Sequence, residues 1–543
     1  MAAPEISTVT RRGIGPARKP GLGDGDLTLA LATALLLAVV IQIGMIVKGA
    51  APVLDGVLID PDGYMRLSRV FRLWETGAWF APIEPRINPP VGFALHWTRP
   101  LDALLLAGAW LAKPFLGVEQ GLFWVGAVLS PVLQVASLCA LIWAAAPVLP
   151  RSWRCFLAFF FVSQPGLFAM FIAGRPDHHG LLILLFIVLM GLTIRLLADP
   201  GRWRCALWAG VVAAGAMWVS VESILVALLS IAGLGLFWLV GERRLARVNL
   251  IYGAAILAAL VAAVLLERGA GMLSETEIDR VSIAHLGPFA VNLVFWAGLD
   301  FVDRRWGRPG GVLARVCWAG VGMTAALAVL WLWQPGFFAN PLAATGEVHV
   351  VKYLSHIEEL LPLTDISGGA NGTLAGVITK PIIWLGIAVL AIPWLLRLVL
   401  VSSGPERRVW VFFALGAVLF TPLGLAQLRW VLYPELFLLV PYAALAGSAI
   451  AWLSARLPEL ALSVVRPLLI TGFCVWFYLP AAIFNANPSD AAAITNAVQC
   501  PVRMLAPVLN DPAGLGAAPK RVLAFVDFGP ELLYRTRHSV FAI

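Results

Sequence analysis

Residues 27–47 read LTLALATALLLAVVIQIGMIV, a run without a single charged side chain. As an α-helix, a run of this length crosses a hydrocarbon core of about 30 Å. Comparable apolar runs recur as far as residue 485, and they explain why 60% of the 543 residues are hydrophobic while only 13% are charged. That balance leaves too little polar surface for a soluble multi-domain protein, so the sequence indicates a chain surrounded by lipid.

The apolar runs predict an all-α polytopic membrane protein with about thirteen transmembrane helices. The predicted spans cover residues 27–47, 122–148, 155–173, 180–197, 205–221, 223–240, 248–266, 287–301, 312–333, 376–400, 409–427, 430–453 and 465–485. We interpret Leu101–Gly117, which is also apolar, as a helix folded back within the first loop. If it crossed the membrane, the basic residues Arg151 and Arg154 would move to the external side, against the usual bias of Lys and Arg toward cytoplasmic loops.

Basic residues also predict the orientation of the chain. Residues 1–26 are rich in Gly and Pro and carry four basic side chains, which suits a disordered cytoplasmic arm. Thirteen spans then place the residues from 487 onward on the extracytoplasmic side. Most of the net charge of +8 lies in short turns between spans, so topology explains it and no nucleic-acid partner is indicated.

Two long hydrophilic stretches remain, within the predicted external loops 48–121 and 334–375. Loops longer than about 15 residues are usually functional or disordered. Acidic residues gather in these loops and at the external ends of spans. A transporter or flippase needs polar or broken helices near the bilayer midplane, so this distribution makes transport the least favoured alternative.

The first loop contains Asp60-Pro61-Asp62-Gly63-Tyr64-Met65-Arg66, which puts two carboxylates into one short turn. Carboxylate pairs hold hard divalent cations such as Mg²⁺ or Mn²⁺. The same Asp, Pro and Gly residues also form turns for purely structural reasons. Both interpretations remain open at this point.

A second group of polar residues follows the third predicted span, in Gly174-Arg175-Pro176-Asp177-His178-His179-Gly180. An acid and two imidazoles at the membrane boundary are costly to keep near lipid, which favours a function for them. His179 could ligate a metal or act as an acid, or it could form an interfacial hydrogen bond. Asp177 could equally cap the N-terminus of the fourth span.

Two further charged groups lie on the same predicted side. Either Glu358 or Glu359 of the second loop could reach the site as a remote ligand, or both could form a solvated surface. Arg429 stands alone between two spans, where its guanidinium suits a lipid phosphate through charge-assisted hydrogen bonds; snorkelling to water is the alternative. Glu222 ends another span, and the sequence assigns it no role.

In this order along the chain, the motif that begins at Asp60, the motif around Asp177 and Arg429 resemble the catalytic subunit of oligosaccharyltransferase, which belongs to the GT-C class of membrane glycosyltransferases. The resemblance implies a GT-C-like bundle in which Asp62, Asp60 and Asp177 are catalytic. It also implies a divalent cation that positions the acceptor.

The same resemblance assigns the ligands of that cation. Asp62 or Asp60 is the first, Asp177 is the second, and His179 stands where the family has another acid. The segment from Ser355 to Glu359 is similar to the family's long-loop motif, whose glutamate completes the site, which implies Glu358 as a further ligand.

Substrate binding is implied as well. Arg429 corresponds to the arginine that contacts the lipid pyrophosphate of the donor. The stretch Phe525-Val526-Asp527-Phe528-Gly529 is similar to the family's Trp-Trp-Asp-Tyr-Gly motif, which implies that Asp527 and Gly529 bind the acceptor, although both tryptophans are missing. The family's large C-terminal domain is either reduced to residues 487–543, or the chain is incomplete.

The resemblance therefore predicts an enzyme of the bacterial inner membrane, with residues 27–486 as its catalytic domain. It transfers a glycan from a polyprenyl-(pyro)phosphate-linked donor to an extracytoplasmic acceptor, which is a protein, a lipid or a polysaccharide. The alternative is a GT-C transferase that uses a polyprenyl-monophosphate sugar to modify a lipid or a polysaccharide. Mn²⁺ or Mg²⁺ is the implied cofactor, and membrane lipids are further partners.

Overall fold

The computed structural model describes residues 24–306, 310–333, 335, 357–364, 374–484 and 502–542. In chain order its helices are α1 (Asp24–Val47), α2 (Pro61–Thr76), α3 (Arg99–Ala144), α4 (Arg151–Ser163), α5 (Pro165–Ala169), α6 (His179–Ala198), α7 (Trp203–Val219), α8 (Ile224–Leu239), α9 (Arg244–Arg268), α10 (Leu286–Trp306), α11 (Val312–Trp333), α12 (Leu374–Val401), α13 (Gly404–Ala426), α14 (Leu432–Ser454), α15 (Glu459–Val475), α16 (Leu479–Phe484), α17 (Val502–Asn510), α18 (Pro512–Leu515) and α19 (Gly529–Arg535). Strands form two small pairs, β1 (Ile83–Glu84) antiparallel to β2 (Phe93–Ala94) and β3 (Arg521–Ala524) parallel to β4 (Ser539–Ala542).

Among the described residues, eleven helical segments are long and apolar enough to cross a membrane. Large apolar side chains such as Leu36, Val40 and Ile43 are exposed along α1, as expected of a helix that faces lipid. The other two predicted spans correspond to shorter helices, since α7 has 17 residues and α4 has 13. The prediction of an all-α polytopic membrane protein is confirmed.

The third predicted span, 155–173, is not one continuous helix in the structure, so this prediction is wrong. Gln164 is extended between α4 and α5, and Pro165 begins α5. From α14, the buried Glu435 carboxylate lies against the backbone N–H groups of Gly166 and Leu167. A break in a membrane helix is tolerated where protein groups surround the freed backbone, and Glu435 provides such a group here.

Helix α3 reverses direction at Gly117, whose φ of 75° lies in the left-handed region that glycine adopts without strain. Its two arms run antiparallel, with Gly108 against Val125 and Gly121 against Ala112. Residues 99–116 are thus folded back along the beginning of the second predicted span. This geometry agrees with the interpretation of Leu101–Gly117 as a helix within the first loop.

Residues 502–542 pack against the first loop. The Asn88 N–H donates to the Val540 carbonyl at 2.9 Å, and the Val540 N–H donates to the Arg86 carbonyl at 2.8 Å. A small apolar core joins the two segments through Met65, Ile87, Leu95, Val502, Leu532, Leu533 and Val540. We call the end of the bundle that carries the first loop, residues 174–179 and residues 502–542 the site face.

The predicted orientation of this face can be tested by cysteine labelling. Ser274 follows α9 on the site face and Ser403 precedes α13 beside the basic residues Arg407 and Arg408, and both serines are exposed. In intact cells we expect Ser274→Cys to react with a membrane-impermeant thiol reagent and Ser403→Cys to remain unlabelled, relative to a cysteine-free parent. Labelling of Ser403→Cys but not of Ser274→Cys would show that the chain has the opposite orientation in the membrane.

Candidate functional site

Asp60 begins the site because it caps helix α2. Its Oδ1 atom accepts a hydrogen bond from the Gly63 N–H at 2.8 Å, as an N-cap aspartate does. The loop before it is fixed to the 174–177 turn, since the Ile59 N–H donates to the Gly174 carbonyl at 3.0 Å. Gly63 also lies close to Pro176, where a side chain would be crowded. Two motifs more than 100 residues apart in sequence are therefore adjacent in space.

Arg175 joins the two motifs electrostatically. Its Nε atom lies 3.1 Å from Asp60 Oδ2, and its Nη2 atom lies 3.9 Å from Asp177 Oδ2. Burial raises the pKa of Asp60, although the Arg175 charge acts in the opposite direction. The sequence analysis gave Arg175 no role, and the structure shows it between two of the predicted catalytic acids.

Asp177 is bracketed by both histidines that follow it. The Nδ1 atoms of His178 and His179 lie 2.7 and 2.6 Å from the two carboxylate oxygens of Asp177. Burial raises the pKa of Asp177, but His179 and His178 outweigh that effect and hold the pKa well below its usual range. Burial lowers the pKa of His178. Asp177 is thus an ionised carboxylate with both oxygens engaged.

Asp62 lies in the first turn of α2 with an exposed side chain. The surrounding protein raises its pKa to about 6, and the negative charges of Asp177 and Asp60 act in the same direction. Asp62 makes no ion pair with the described residues, in contrast to Asp60 and Asp177. Three of the predicted acids therefore share one electrostatic environment, and Asp62 is the one without a cationic partner.

Arg429 lies in a short turn, Leu428–Trp430, and forms an ion pair that the sequence did not predict. Its Nη2 atom donates to Glu222 Oε2 at 2.6 Å, and the Tyr433 hydroxyl donates to Glu222 Oε1 at 3.1 Å. The negative charge of Glu222 also acts on His179, which links Arg429 to the Asp177 cluster. Glu222 is thus paired with the predicted phosphate-binding residue, and its charge reaches the predicted metal ligands.

Part of the second loop reaches the same place. The Leu428 N–H donates to the Leu361 carbonyl at 3.0 Å, and the Leu363 N–H donates to the Leu425 carbonyl at 3.0 Å. These bonds hold residues 357–364 beside Arg429, and the charge of Glu359 raises the pKa of Asp62. The side chain of Glu358, the glutamate implied by the resemblance, lies outside the described residues.

The predicted acceptor residues lie elsewhere on the site face. Asp527 is exposed, and Gly529 begins α19, which packs on α2. Within the described part of the chain, neither residue contacts the carboxylates of Asp60, Asp62 or Asp177. Their assignment to the acceptor remains a prediction.

A buried arginine cluster supports α2, and the sequence analysis missed it. Asp102 is fully buried and accepts ion pairs from Arg66 at 3.2 Å, Arg69 at 2.9 Å and Arg99 at 3.1 Å. The sequence contained one indication of this cluster. Arg66 and Arg69 are three residues apart on one helix, and Arg99 and Asp102 are three residues apart on another, so each pair lies on one helix face. This cluster fixes the helix whose first turn carries Asp60 and Asp62.

The donor set fits a divalent cation. One potential ligand atom from each of Asp177, His178 and His179 lies within 4.8 Å of the other two; His178 was not among the predicted ligands. The mutual repulsion of Asp60, Asp62 and Asp177 is the kind of charge excess that a cation relieves. Carboxylate oxygens combined with imidazole nitrogens suit Mn²⁺ or Zn²⁺ better than Mg²⁺, which prefers oxygen ligands.

Comparisons with known proteins identify the fold. No protein-family model and no curated protein sequence matches the chain. The oligosaccharyltransferase AglB of Archaeoglobus fulgidus, solved with an inhibitory peptide and a dolichol-phosphate, matches with a TM-score of 0.66 at 14% identity over 94% of this chain. The apo form of the A. fulgidus oligosaccharyltransferase matches with a TM-score of 0.65 at 14% identity over 95% of this chain, and its complex with Zn and sulfate with a TM-score of 0.61 at 14% identity over 94%.

This chain therefore shares the fold of the archaeal oligosaccharyltransferase structures, as the resemblance in its motifs implied. It spans 64% of the length of the first two of these structures and 62% of the third. An identity of 14% establishes a shared fold but not a shared chemistry, which depends on the residues of this chain.

Proposed function

We propose that the protein transfers a glycan from a polyprenyl-(pyro)phosphate-linked donor to an acceptor on the extracytoplasmic side of a bacterial inner membrane. The observation that supports this most directly is the placement of Asp60, Asp177 and His179 around Arg175, with Asp62 in the same electrostatic environment. The Arg429 turn, linked to this cluster through Glu222, provides a cation for the donor phosphate. The GT-C fold supplies the context in which such a cluster acts on lipid-linked sugars.

In this proposal a nucleophilic group of the acceptor attacks the anomeric carbon of the donor glycan. The bond between that carbon and the phosphate oxygen breaks, and the lipid phosphate leaves with the electron pair. Arg429 stabilises the charge that develops on the phosphate. Asp62 accepts the acceptor's proton, because it lacks an ion-pair partner among the described residues and its pKa of about 6 suits a base near neutral pH.

A divalent cation held by Asp177 and His179, with Asp60 and Glu358 as further ligands when Asp62 acts as the base, would supply a positive charge that polarises the acceptor. Asp60 and Arg175 keep the first loop beside Asp177, so that the ligands from the two motifs remain together. Asp527 and Gly529 are proposed to contact the acceptor beyond this centre.

The role of Arg429 provides a test of this function. In a purified-protein assay with a polyprenyl-linked glycan donor, Arg429→Ala should raise the KM for the donor by about tenfold or more, because a charge-assisted contact to phosphate is lost. Arg429→Lys should recover part of the affinity, since the charge remains while the planar fork is lost.

Arg456→Ala is the matched control, because Arg456 donates only to the nearby Trp452 carbonyl within the described residues and is exposed. It should leave the donor KM unchanged. An unchanged KM in Arg429→Ala would assign Arg429 to the structural pairing with Glu222. Absence of donor turnover by the parent protein with both monophosphate and pyrophosphate donors would contradict the proposed function itself.

A further inference from the structure

A groove of about 450 Å³ lies on the site face, away from the carboxylate cluster. Its walls come from residues 53–56 after α1, the part of α3 that follows Gly117, helix α17 and helix α19. Representative lining residues are Leu54, Phe123, Trp124, Arg503, Pro507 and Tyr534. We call it the α17 groove. The proposed function assigns no role to it.

The segments that line the α17 groove continue along the chain into two membrane-spanning helices, α1 and the second arm of α3. Helices α1 and α3 meet where Gln42 donates to Gln134. Beside this contact they expose apolar side chains, among them Val47 on α1 and Val128 on α3. Trp124 in the groove is one helical turn from Val128, a rise of about 6 Å. The groove is therefore located where the head group of a lipid in the seam between these two helices would lie.

Helix α17 has the polarity of a helix that lies in a membrane interface. Val502 and Ala506 are buried against the protein, while Met504, Leu505 and Val508 are 69%, 51% and 66% exposed. In water, exposed apolar side chains forgo the free energy that burial provides. Amphipathic helices with an apolar face toward lipid gain this energy at the interface. Leu54, in the turn that follows α1, is also exposed and apolar.

The charges of the groove suit a phospholipid head group. Arg503 donates to the Asp55 carbonyl, and its contact with the Asp55 carboxylate is 3.9 Å long, so a phosphate can replace this weak ion pair. Glu119 lines the same groove and offers a partner for a head-group amine. Arg535 is engaged by Glu531, by the Gly56 carbonyl and by the Tyr64 hydroxyl. Because 46% of the Arg503 side chain is exposed against 15% of Arg535, Arg503 is the more accessible cation for a ligand.

We propose that the α17 groove binds one phospholipid of the leaflet on the site face, with its phosphate at Arg503 and its acyl chains along the α1 and α3 seam. The site differs from the donor site, because no contact among the described residues joins the groove to Arg429. A lipid bound there would fix α17, and through Arg535 and Tyr64 it would support the α2 helix that carries the catalytic acids.

The test is native mass spectrometry of the full-length protein, extracted in mild detergent and titrated with phosphatidylethanolamine or phosphatidylglycerol. One tightly retained phospholipid per chain is expected. Arg503→Ala should weaken this retention about fivefold or more through loss of the phosphate contact. Gln120→Trp, which places an indole into the groove from an exposed position, should abolish it.

Arg521→Ala is the matched control, since Arg521 is an exposed arginine on β3 that does not line the groove. It should retain lipid as the parent does. Equal retention in Arg503→Ala and Gln120→Trp would overturn the proposal. Displacement of the phospholipid by polyprenyl phosphate, seen in the parent and equally in Arg429→Ala, would also overturn the proposal, because the groove would then be a donor site. If the parent protein retains the phospholipid but transfers no glycan, the proposed function is contradicted and the lipid site is not.

Discussion

Replacing Asp177 by asparagine is expected to reduce glycan transfer by about 100-fold or more, the effect of removing a positioned ionic group from a reaction centre. Asparagine keeps the size of the side chain and one carbonyl oxygen but removes the negative charge that faces His178, His179 and Arg175. A cation site built on Asp177 would lose its central carboxylate. The measurement is transfer of a labelled glycan from a polyprenyl-linked donor by purified protein.

If the acids act as a unit, their effects must not add. Asp62→Asn should also lose most of the activity, and the double variant Asp62→Asn/Asp177→Asn should be no more than about threefold worse than the poorer single variant. This coupling separates a shared site from two independent structural roles. Two residues with independent structural roles would instead give additive losses.

Asp199→Asn is the control for the loss of an aspartate charge at a turn between spans. Asp199 pairs with Arg202 on an exposed surface and accepts from the Gly201 N–H. Its variant should keep parental activity, and all variants should elute as the parent does on size exclusion. Near-parental turnover in either Asp62→Asn or Asp177→Asn would refute the shared-site mechanism and leave those residues with capping and turn roles.

The sequence predicted well the features that depend on the local hydrophobic pattern and on the number of membrane spans. The apolar runs located the membrane helices, and the alternation of basic loops placed the motifs at Asp60, at Asp177 and at Arg429 on one side. The structure brings the first two together through Arg175, and Glu222, the ion-pair partner of Arg429, acts electrostatically on His179 of the second. Both connecting residues were visible in the sequence, but a charged side chain at a span end does not reveal its partner when that partner is 207 residues away.

The interrupted third span shows why continuity was mispredicted. Hydropathy is high on both sides of Pro165, so the apolar run 155–173 predicts one helix. Proline disfavours helix in the residue before it, which is Gln164, and this was the available signal. Packed against the break is the buried carboxylate of Glu435, which comes from a helix about 270 residues later. No window of local sequence contains that interaction.

The buried arginine cluster carries the second large expected effect, this time on stability. Asp102 is the carboxylate that faces the guanidinium groups of Arg66, Arg69 and Arg99. The nearby Glu267 accepts from the Arg99 backbone N–H and from the Trp218 indole through its Oε2 atom, and among the described residues it makes no ion pair with these arginines. Burial lowers the pKa of Arg69 to about 10, but this value still leaves the guanidinium charged at neutral pH. The three positive charges therefore depend on Asp102.

Asp102→Ala should destabilise the folded protein by about 3–5 kcal/mol, because removing one partner of a buried ion pair leaves uncompensated buried charge. The thermal unfolding midpoint of purified protein in detergent should fall markedly, and α2 should become susceptible to proteolysis before the spans do. Asp199→Ala breaks an Asp–Arg pair whose side chains are more than half exposed, so its midpoint should stay at the parental value. Equal midpoints for Asp102→Ala and the parent would show that water or another acid compensates the three arginines, and that the first turn of α2 is held by its contacts with α19 instead.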